Sequence, residues 1–236
     1  MKWIYRLLLG CLPVTAAATP VTVVELFTSQ GCYSCPPADD LLGKLSENPD
    51  TIAVACHVTY WNYLGWRDTF SQEFCDRRQR SYQSHLKGNA GVYTPQMVIN
   101  GRYGVVGSRQ SRVTQAIGRS QQDTAIEMVA LSQPNDGELH IELPAVASGN
   151  LQLWLLGVDN QQQVPIAKGE NGGKQLTYHH PIRQVVNLGG WDGKSRQLQV
   201  NLKEQPVLPR WVVLVELRGG RGLVAAGELV VSPLKR

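Results

Sequence analysis

The spacing of hydrophobic residues divides the chain near residue 122 into two parts with different patterns. In the first part, short apolar and β-branched runs alternate with segments of helical spacing, which predicts the order β-α-β-α-β-β-α. Alternating strands and helices imply a parallel strand pair, and Asn100-Gly101 is a strong hairpin signal. The predicted strands are 21–27, 52–58, 95–100 and 102–106. The first predicted helix begins after Pro37 and ends near residue 47, and the other two cover 71–86 and 108–121.

The second part contains short strand-like runs separated by clusters of Gly, Asn, Asp and Pro, and it has no convincing helical periodicity. Regularly spaced short strands of this kind predict a β-sandwich. We therefore predict an α/β domain over 19–122 and an all-β, sandwich-like domain over 123–236, preceded by a leader over 1–18. The predicted strands are 125–131, 138–143, 151–158, 175–179, 197–202, 211–217 and 223–231.

The first 18 residues have the pattern of a secretory signal peptide. Lys2 and Arg6 precede the short apolar run 7–14, and three small residues end at Ala18. That run is shorter than the roughly 20 residues that cross a membrane, so we predict cleavage near Ala18, no membrane span in the mature chain, and a periplasmic or secreted protein. A lipoprotein signal that retains Cys11 is the weaker alternative.

Composition and charge narrow the function classes. Apolar residues make up 42% of the 236 positions and charged residues 18%, which favours a globular protein over a disordered one. Cleavage leaves 21 basic and 19 acidic side chains, and a net charge of +2 is too small to indicate nucleic-acid binding. Cleavage also removes one of the five cysteines, and the remaining four lie between residues 32 and 75 in a chain sent to a disulfide-permissive compartment.

Cys32 and Cys35 form a Cys-x-x-Cys motif between the first strand and the first helix. The positive end of a helix favours a thiolate, so we predict that Cys32 is the nucleophile and that Cys35 resolves the mixed disulfide. Thr94 and Pro95 precede the third strand, where a cis peptide bond would bring their backbone near the two sulfurs and present it to a client. These four residues are the predicted catalytic site.

This arrangement resembles the thioredoxin fold over residues 20–122. A closer resemblance rests on several motifs in both parts of the sequence: ELFTSQGC at 25–32 and CPPAD at 35–39, His57-Val58, Tyr60-Trp61, Leu64-Gly65-Trp66, YTPQM at 93–97 and Gly169-Glu170-Asn171. With these motifs the chain is similar to the secreted bacterial family called domain of unknown function 1223. The resemblance implies a thioredoxin-like first domain and an exported protein, and it assigns no activity.

We predict a thiol–disulfide oxidoreductase without a cofactor or a metal, which acts on a protein thiol or disulfide. The dipeptide between the cysteines does not decide the direction of electron flow. One alternative is a copper-handling protein that uses Cys32, Cys35 and His57 as ligands. Another is a non-enzymatic binding protein in which the Cys-x-x-Cys disulfide is structural.

Three further groups of residues have two or more interpretations. Cys56 and Cys75 can form a structural disulfide across a strand–helix junction, remain free buried thiols, or relay electrons to the first pair. The aromatic side chains of Tyr60, Trp61 and Trp66 can bind a client, or they can form a hydrophobic lid or a contact with the second half. His57 is more simply a structural histidine than a group that tunes Cys32.

Overall fold

The computed structural model describes residues 21–231 except 124, 136 and 148, so the predicted signal peptide and Cys11 lie outside the described residues. The first part of the chain forms a five-stranded mixed sheet in the order β2-β1-β4-β5-β3, accompanied by helices. Its elements are β1 Thr22–Thr28, α1 Pro36–Leu45, β2 Thr51–His57, α2 Glu73–Tyr82, β3 Lys87–Gly88, β4 Gln96–Ile99, β5 Tyr103–Val106 and α3 Gln110–Asp123.

The strand β1 is central to this sheet and is buried along its whole length. It pairs in parallel with β2 and antiparallel with β4. The short strand β3 was not among the predicted strands, and in the structure its Gly88 pairs in parallel with Gly104 of β5. A two-residue strand has no periodicity of its own, and only the free edge of β5 makes it a strand.

The second part consists of β-sheets, as its short apolar runs predicted. Three sheets have the orders β12-β9-β14-β15-β6, β13-β8-β7 and β10-β11. Within the described residues, no helix is long and apolar enough to cross a membrane. The strands are β6 Glu127–Met128, β7 Ala130–Asn135, β8 Glu138–Leu143, β9 Leu151–Val158, β10 Gln162–Pro165, β11 Gln175–Tyr178, β12 Ile182–Trp191, β13 Arg196–Asn201, β14 Arg210–Leu217 and β15 Leu223–Val230.

The structure has the ten-residue strand β12 over 182–191, where no strand was predicted. The glycine-rich cluster over 189–193 indicated a turn there. In the structure the register of β12 against β9 shifts between Asn187 and Gly189, and Gly189 has a φ of 90°. Glycine permits this irregularity without ending the strand. The strand β10 was also missed, since its sequence is mostly polar and it pairs only with β11.

The five-stranded sheet of the second part is buried on both faces. Side chains alternate along a strand, so Leu153 and Val213 face the three-stranded sheet, where they pack with Ile141. Their neighbours Leu156 and Val212 face the opposite way and join the core of the first part. The two parts of the chain therefore share a hydrophobic core.

A buried ion-pair network crosses this shared interface. The guanidinium of Arg78 on α2 pairs with Glu25 of β1 and, at 2.9 Å, with Glu216 of β14. The Tyr82 hydroxyl donates to Glu25 at 2.6 Å, and the Trp154 indole donates to Glu216 at 2.8 Å. A buried charge is tolerated only when it is paired and hydrogen-bonded, and here both parts of the chain supply the partners.

We expect Arg78→Met to lower the free energy of unfolding by about 3–5 kcal/mol, because it leaves two carboxylates buried without a counter-charge. Urea unfolding followed by circular dichroism measures the loss. The neighbouring Arg77 is the matched control, since its side chain is 67% exposed and pairs only with exposed Glu73. Equal, small effects of Arg78→Met and Arg77→Met would contradict a stabilising role for the network.

A disulfide joins Cys56 of β2 to Cys75 of α2, with both residues fully buried. We expect the double variant Cys56→Ala/Cys75→Ala to unfold at lower urea concentration, by about 3 kcal/mol, because the bond closes a loop of 19 residues in the unfolded chain. A peptide map of the unreduced protein should recover the two cysteines on linked peptides. Separate peptides that alkylate without reduction would refute the bond.

Candidate redox site

Cys32 and Cys35 are joined by a disulfide at the junction of β1 and α1, with their Cα atoms 5.4 Å apart. The Cys35 backbone N–H donates to the Cys32 carbonyl at 3.2 Å, so residues 32–35 form a turn that leads into α1. The helix itself begins at Pro36. Two prolines in the first turn remove two backbone N–H groups, so few donors are left to face the sulfurs.

The disulfide is covered in this oxidised state. Cys32 is 1% exposed and Cys35 is 0% exposed, whereas Tyr33 between them is 66% exposed. An incoming thiolate therefore reaches a sulfur only after neighbouring side chains move.

Thr94 and Pro95 directly precede β4, and the peptide bond between them is cis. The Trp61 indole N–H donates to the Thr94 hydroxyl at 2.7 Å. The same side chain packs over Gly31, where an added Cβ would lie 3.4 Å from the Trp61 Cβ. Trp61 thus connects the loop before β4 with the residue that precedes Cys32.

The other two predicted aromatic residues, Trp66 and Tyr60, lie in different parts of the structure. The Trp66 indole N–H donates to Gln30 Oε1 at 2.9 Å, close to the Cys-x-x-Cys turn. The Tyr60 hydroxyl instead donates to Gln79 of α2 at 3.1 Å, and burial raises its pKa to about 12. Trp61 and Trp66 therefore flank the turn, and Tyr60 is held against α2.

His57 is fully buried and pairs with an acid. Its Nδ1 lies 2.8 Å from Asp68, with both side chains fully buried, and its ring packs edge-on against Phe70 and Tyr178. Asp68 also accepts the Gln30 N–H at 2.8 Å. Burial by itself would raise the pKa of Asp68, but His57 and the backbone donors outweigh it and leave that pKa below its usual value.

The three ligands of the copper hypothesis are not gathered in the structure. Among the described residues, no three His, Cys, Asp or Glu side chains form a group that could hold a metal ion.

Asp39 is a buried acid that sequence reasoning did not single out. It is 2% exposed, and neither of its carboxyl oxygens has a hydrogen-bond partner within the described residues. Burial raises the pKa of Asp39 well above its usual value, and the charge of Asp68 acts in the same direction. Asp39 lies one helical turn beyond Cys35, and positions four apart share a face of a helix. Burial thus favours the neutral form of an acid on the Cys35 side of α1.

We expect Asp39→Asn to flatten the pH dependence of stability. Because the pKa of Asp39 is raised in the folded state, its contribution is fully present below the unfolded pKa of about 4 and is lost as pH rises through the folded pKa. Wild-type protein should therefore lose stability relative to Asp39→Asn between acidic and neutral pH, as measured by urea unfolding in a pH series. Exposed Asp40 is the control, and Asp40→Asn should retain the wild-type slope. Parallel wild-type and Asp39→Asn curves would contradict the prediction.

The second part of the chain also contributes to the site, through the loop 166–174 between β10 and β11. Asn171 is fully buried, and its amide donates to the carbonyls of Gln30 and Cys32, each at 3.0 Å. The Glu170 carboxylate accepts the Tyr33 N–H at 3.2 Å. Sequence reasoning found no chemistry in this part, and the only signal was the Gly169-Glu170-Asn171 run in the family resemblance.

The protein therefore belongs to the class in which a mixed sheet with helices carries a Cys-x-x-Cys disulfide and packs against a β-rich second part. Residues 23–216 match the family described as "Protein of unknown function (DUF1223)", and the chain belongs to that family. The family resemblance that the sequence indicated is thereby confirmed.

Two solved structures are similar to this chain. A crystal structure of a protein from Agrobacterium tumefaciens has 30% sequence identity and a TM-score of 0.78, covering 93% of this chain and 99% of that one. HBP35 of Porphyromonas gingivalis has 14% identity and a TM-score of 0.62, covering 92% and 78%, and it supports the fold alone. None of the curated proteins matches the chain.

Proposed function

We propose that this protein is an exported thiol–disulfide exchange protein that acts through Cys32 and Cys35. The observation that carries the proposal is the disulfide between these residues at the start of α1, and Trp61 links Thr94 to Gly31, which directly precedes Cys32. A bond between cysteines three positions apart closes too short a loop to stabilise the chain strongly in the loop-entropy model, so a chemical role explains it better than a structural one.

The architecture supports a thioredoxin-like first domain. The strand β1 pairs in parallel with β2 and antiparallel with β4, and the Cys-x-x-Cys turn joins β1 to α1. The hairpin of β4 and β5 and the final helix α3 complete the order expected of that fold.

In the direction that oxidises a client, a client thiolate attacks Cys32 Sγ and the bond to Cys35 breaks. The electron pair leaves with Cys35, which takes up a proton. A second client thiolate then attacks the client sulfur of the mixed disulfide and displaces Cys32 as a thiolate. The client loses two electrons and gains a disulfide, and this protein becomes a dithiol; the reverse sequence reduces a client disulfide.

Asp39 is the candidate proton donor for the Cys35 thiolate. Burial favours its protonated form, and it shares a helix face with Cys35 one turn away. In the reverse direction the same carboxylate would take the proton from Cys35 as that thiol attacks the mixed disulfide.

Export and the class of partner follow from the same proposal. Two disulfides suit an oxidising compartment, in agreement with the signal-like pattern of the first 18 residues. The partner we propose is a protein thiol or disulfide, presented as a flexible segment because the sulfurs are covered until side chains move. Trp61 and Trp66 border the approach and are the proposed client contacts.

Burial of the disulfide favours a second candidate, a non-enzymatic binding protein with an inert Cys-x-x-Cys bond. Buried disulfides react slowly because exchange requires access to a sulfur. In that case Cys32→Ser would leave function unchanged in the cell and would not affect insulin-reduction assays.

We expect Cys35→Ser, expressed with its leader, to accumulate covalent adducts that run as reducible bands on non-reducing gels. The serine cannot displace the client from Cys32, so the mixed disulfide persists. Mass spectrometry of the bands identifies the client. The control Cys32→Ser/Cys35→Ser should form none, and equal yields from both variants, or none from either in oxidising and reducing media, would refute exchange at Cys32.

A further inference from the structure

The loop 166–174 reaches the Cys-x-x-Cys turn from the far part of the chain as a preformed unit. Ile166 donates its N–H to the Lys174 carbonyl and accepts the Gly173 N–H, each at 2.8 Å, so the base of the loop is closed. Gly169 has a φ of 78°, and an added Cβ there would lie 3.3 Å from Trp66. The loop therefore packs against the aromatic segment as well as the turn.

Asn171 holds the backbone on which Cys32 sits. Its single amide nitrogen serves two carbonyls, at Gln30 and Cys32, and its own oxygen accepts from Lys174 Nζ at 2.9 Å. A buried carbonyl that loses its donor costs free energy, so this side chain favours one position of the turn over others.

Glu170 brings a negative charge to the peptide that follows Cys32. Its carboxylate accepts the Tyr33 N–H, so this backbone donor next to Cys32 is already engaged. A nearby like charge and an engaged donor both disfavour the thiolate. Pro36 and Pro37 remove further N–H groups, and the Ser34 hydroxyl, 3.6 Å from Cys32 Sγ, is the side-chain donor that the structure places at that sulfur.

The other charged or titratable groups described at the turn are Lys174, Asp39 and Asp68, and of these Lys174 is a cation that opposes part of the Glu170 charge. Lys174 is directed at Asn171 Oδ1 and lies 4.4 Å over the Tyr33 ring. Burial of Asp39 on α1 raises its pKa and favours its neutral form, and Asp68 is paired with His57. Glu170 is therefore the charge whose carboxylate contacts the Cys-x-x-Cys backbone directly.

We propose that the loop 166–174 is a positioning element of the redox site, in which Asn171 fixes the turn and Glu170 opposes the Cys32 thiolate. The β-rich part of the chain thereby shifts the disulfide equilibrium away from the reduced dithiol, which makes the dithiol the stronger reductant. The inference rests on the proposed exchange function, but its chemistry is measurable on the isolated protein without a client.

The test is Glu170→Gln in the reduced protein. We expect iodoacetamide to alkylate Cys32 up to about threefold faster on the acidic side of its titration, with the midpoint of the rate profile at lower pH, because one screened charge near a thiolate is lost. The equilibrium with glutathione should move toward the dithiol by up to about threefold, which corresponds to about 14 mV for a two-electron couple. High salt should reduce the difference between variant and wild type.

Two controls separate this effect from general perturbation. Glu204→Gln removes an exposed carboxylate elsewhere and should match wild type in both measurements. Gln175→Ala removes a hydrogen bond to Gln163 on the same hairpin, away from the turn, and should also match wild type.

Asn171→Ala provides a second measurement. If the loop acts through its attachment at Asn171, this variant should show the same faster alkylation, and adding Glu170→Gln to it should change the rate little further. Should Asn171→Ala fail to fold, exposed Glu170 still permits the test. A Glu170→Gln protein that is indistinguishable from Glu204→Gln in both measurements would overturn the inference.

The inference and the proposed function fail in different ways. Absence of Cys32-dependent adducts in the cell would refute exchange with a client while the alkylation profile still reported the effect of Glu170. Normal adducts with an unchanged profile would leave exchange intact and remove the role of the loop.

Discussion

The guanidinium of Arg78 is buried where β1, α2 and β14 meet, and its charge has to be balanced there by carboxylates from both parts of the chain. An uncompensated charge in this position would cost several kcal/mol, so Glu25 and Glu216 tie the two sheets to α2 in one arrangement. The apolar faces of both parts then pack around this pairing as a shared core. Because β14 is the middle strand of its five-stranded sheet, this contact places that sheet against α2.

The redox site depends on the same arrangement. The strand β9 pairs with β14 and leads into β10, so fixing β14 against α2 also fixes where the loop 166–174 meets the Cys-x-x-Cys turn. Asn171 is then buried against Cys32, although the two lie 139 positions apart in sequence. A first part on its own would carry the disulfide and the backbone hydrogen bonds of its turn but would lack Asn171 and Glu170. The β-rich part is thus a component of the site as well as of the core.

Sequence-based prediction succeeded where neighbouring residues determine an element and failed where contacts between distant segments determine it. The strands 138–143 and 151–158 were predicted with their observed bounds, because alternation along a strand records which face is buried. The strand β12 was missed since its glycines indicate a turn until pairing with β9 decides otherwise. Likewise, spacing singled out Cys32 and Cys35, whereas Asp39 has an unremarkable sequence context and becomes a buried acid only when helix and second part enclose it.

The sequence by itself determined the alternation of strands and helices in the first part, the β-rich second part, the family, and the chemistry available at Cys32 and Cys35, because these depend on neighbouring residues and on side-chain type. Only the tertiary structure decided that the disulfide is covered, that His57 turns to Asp68, and that Asn171 and Glu170 contact the turn. These are contacts between segments far apart in the chain. They form because the burial of apolar surface and of one paired charge brings those segments together. A local sequence pattern does not predict which distant residue will make the contact.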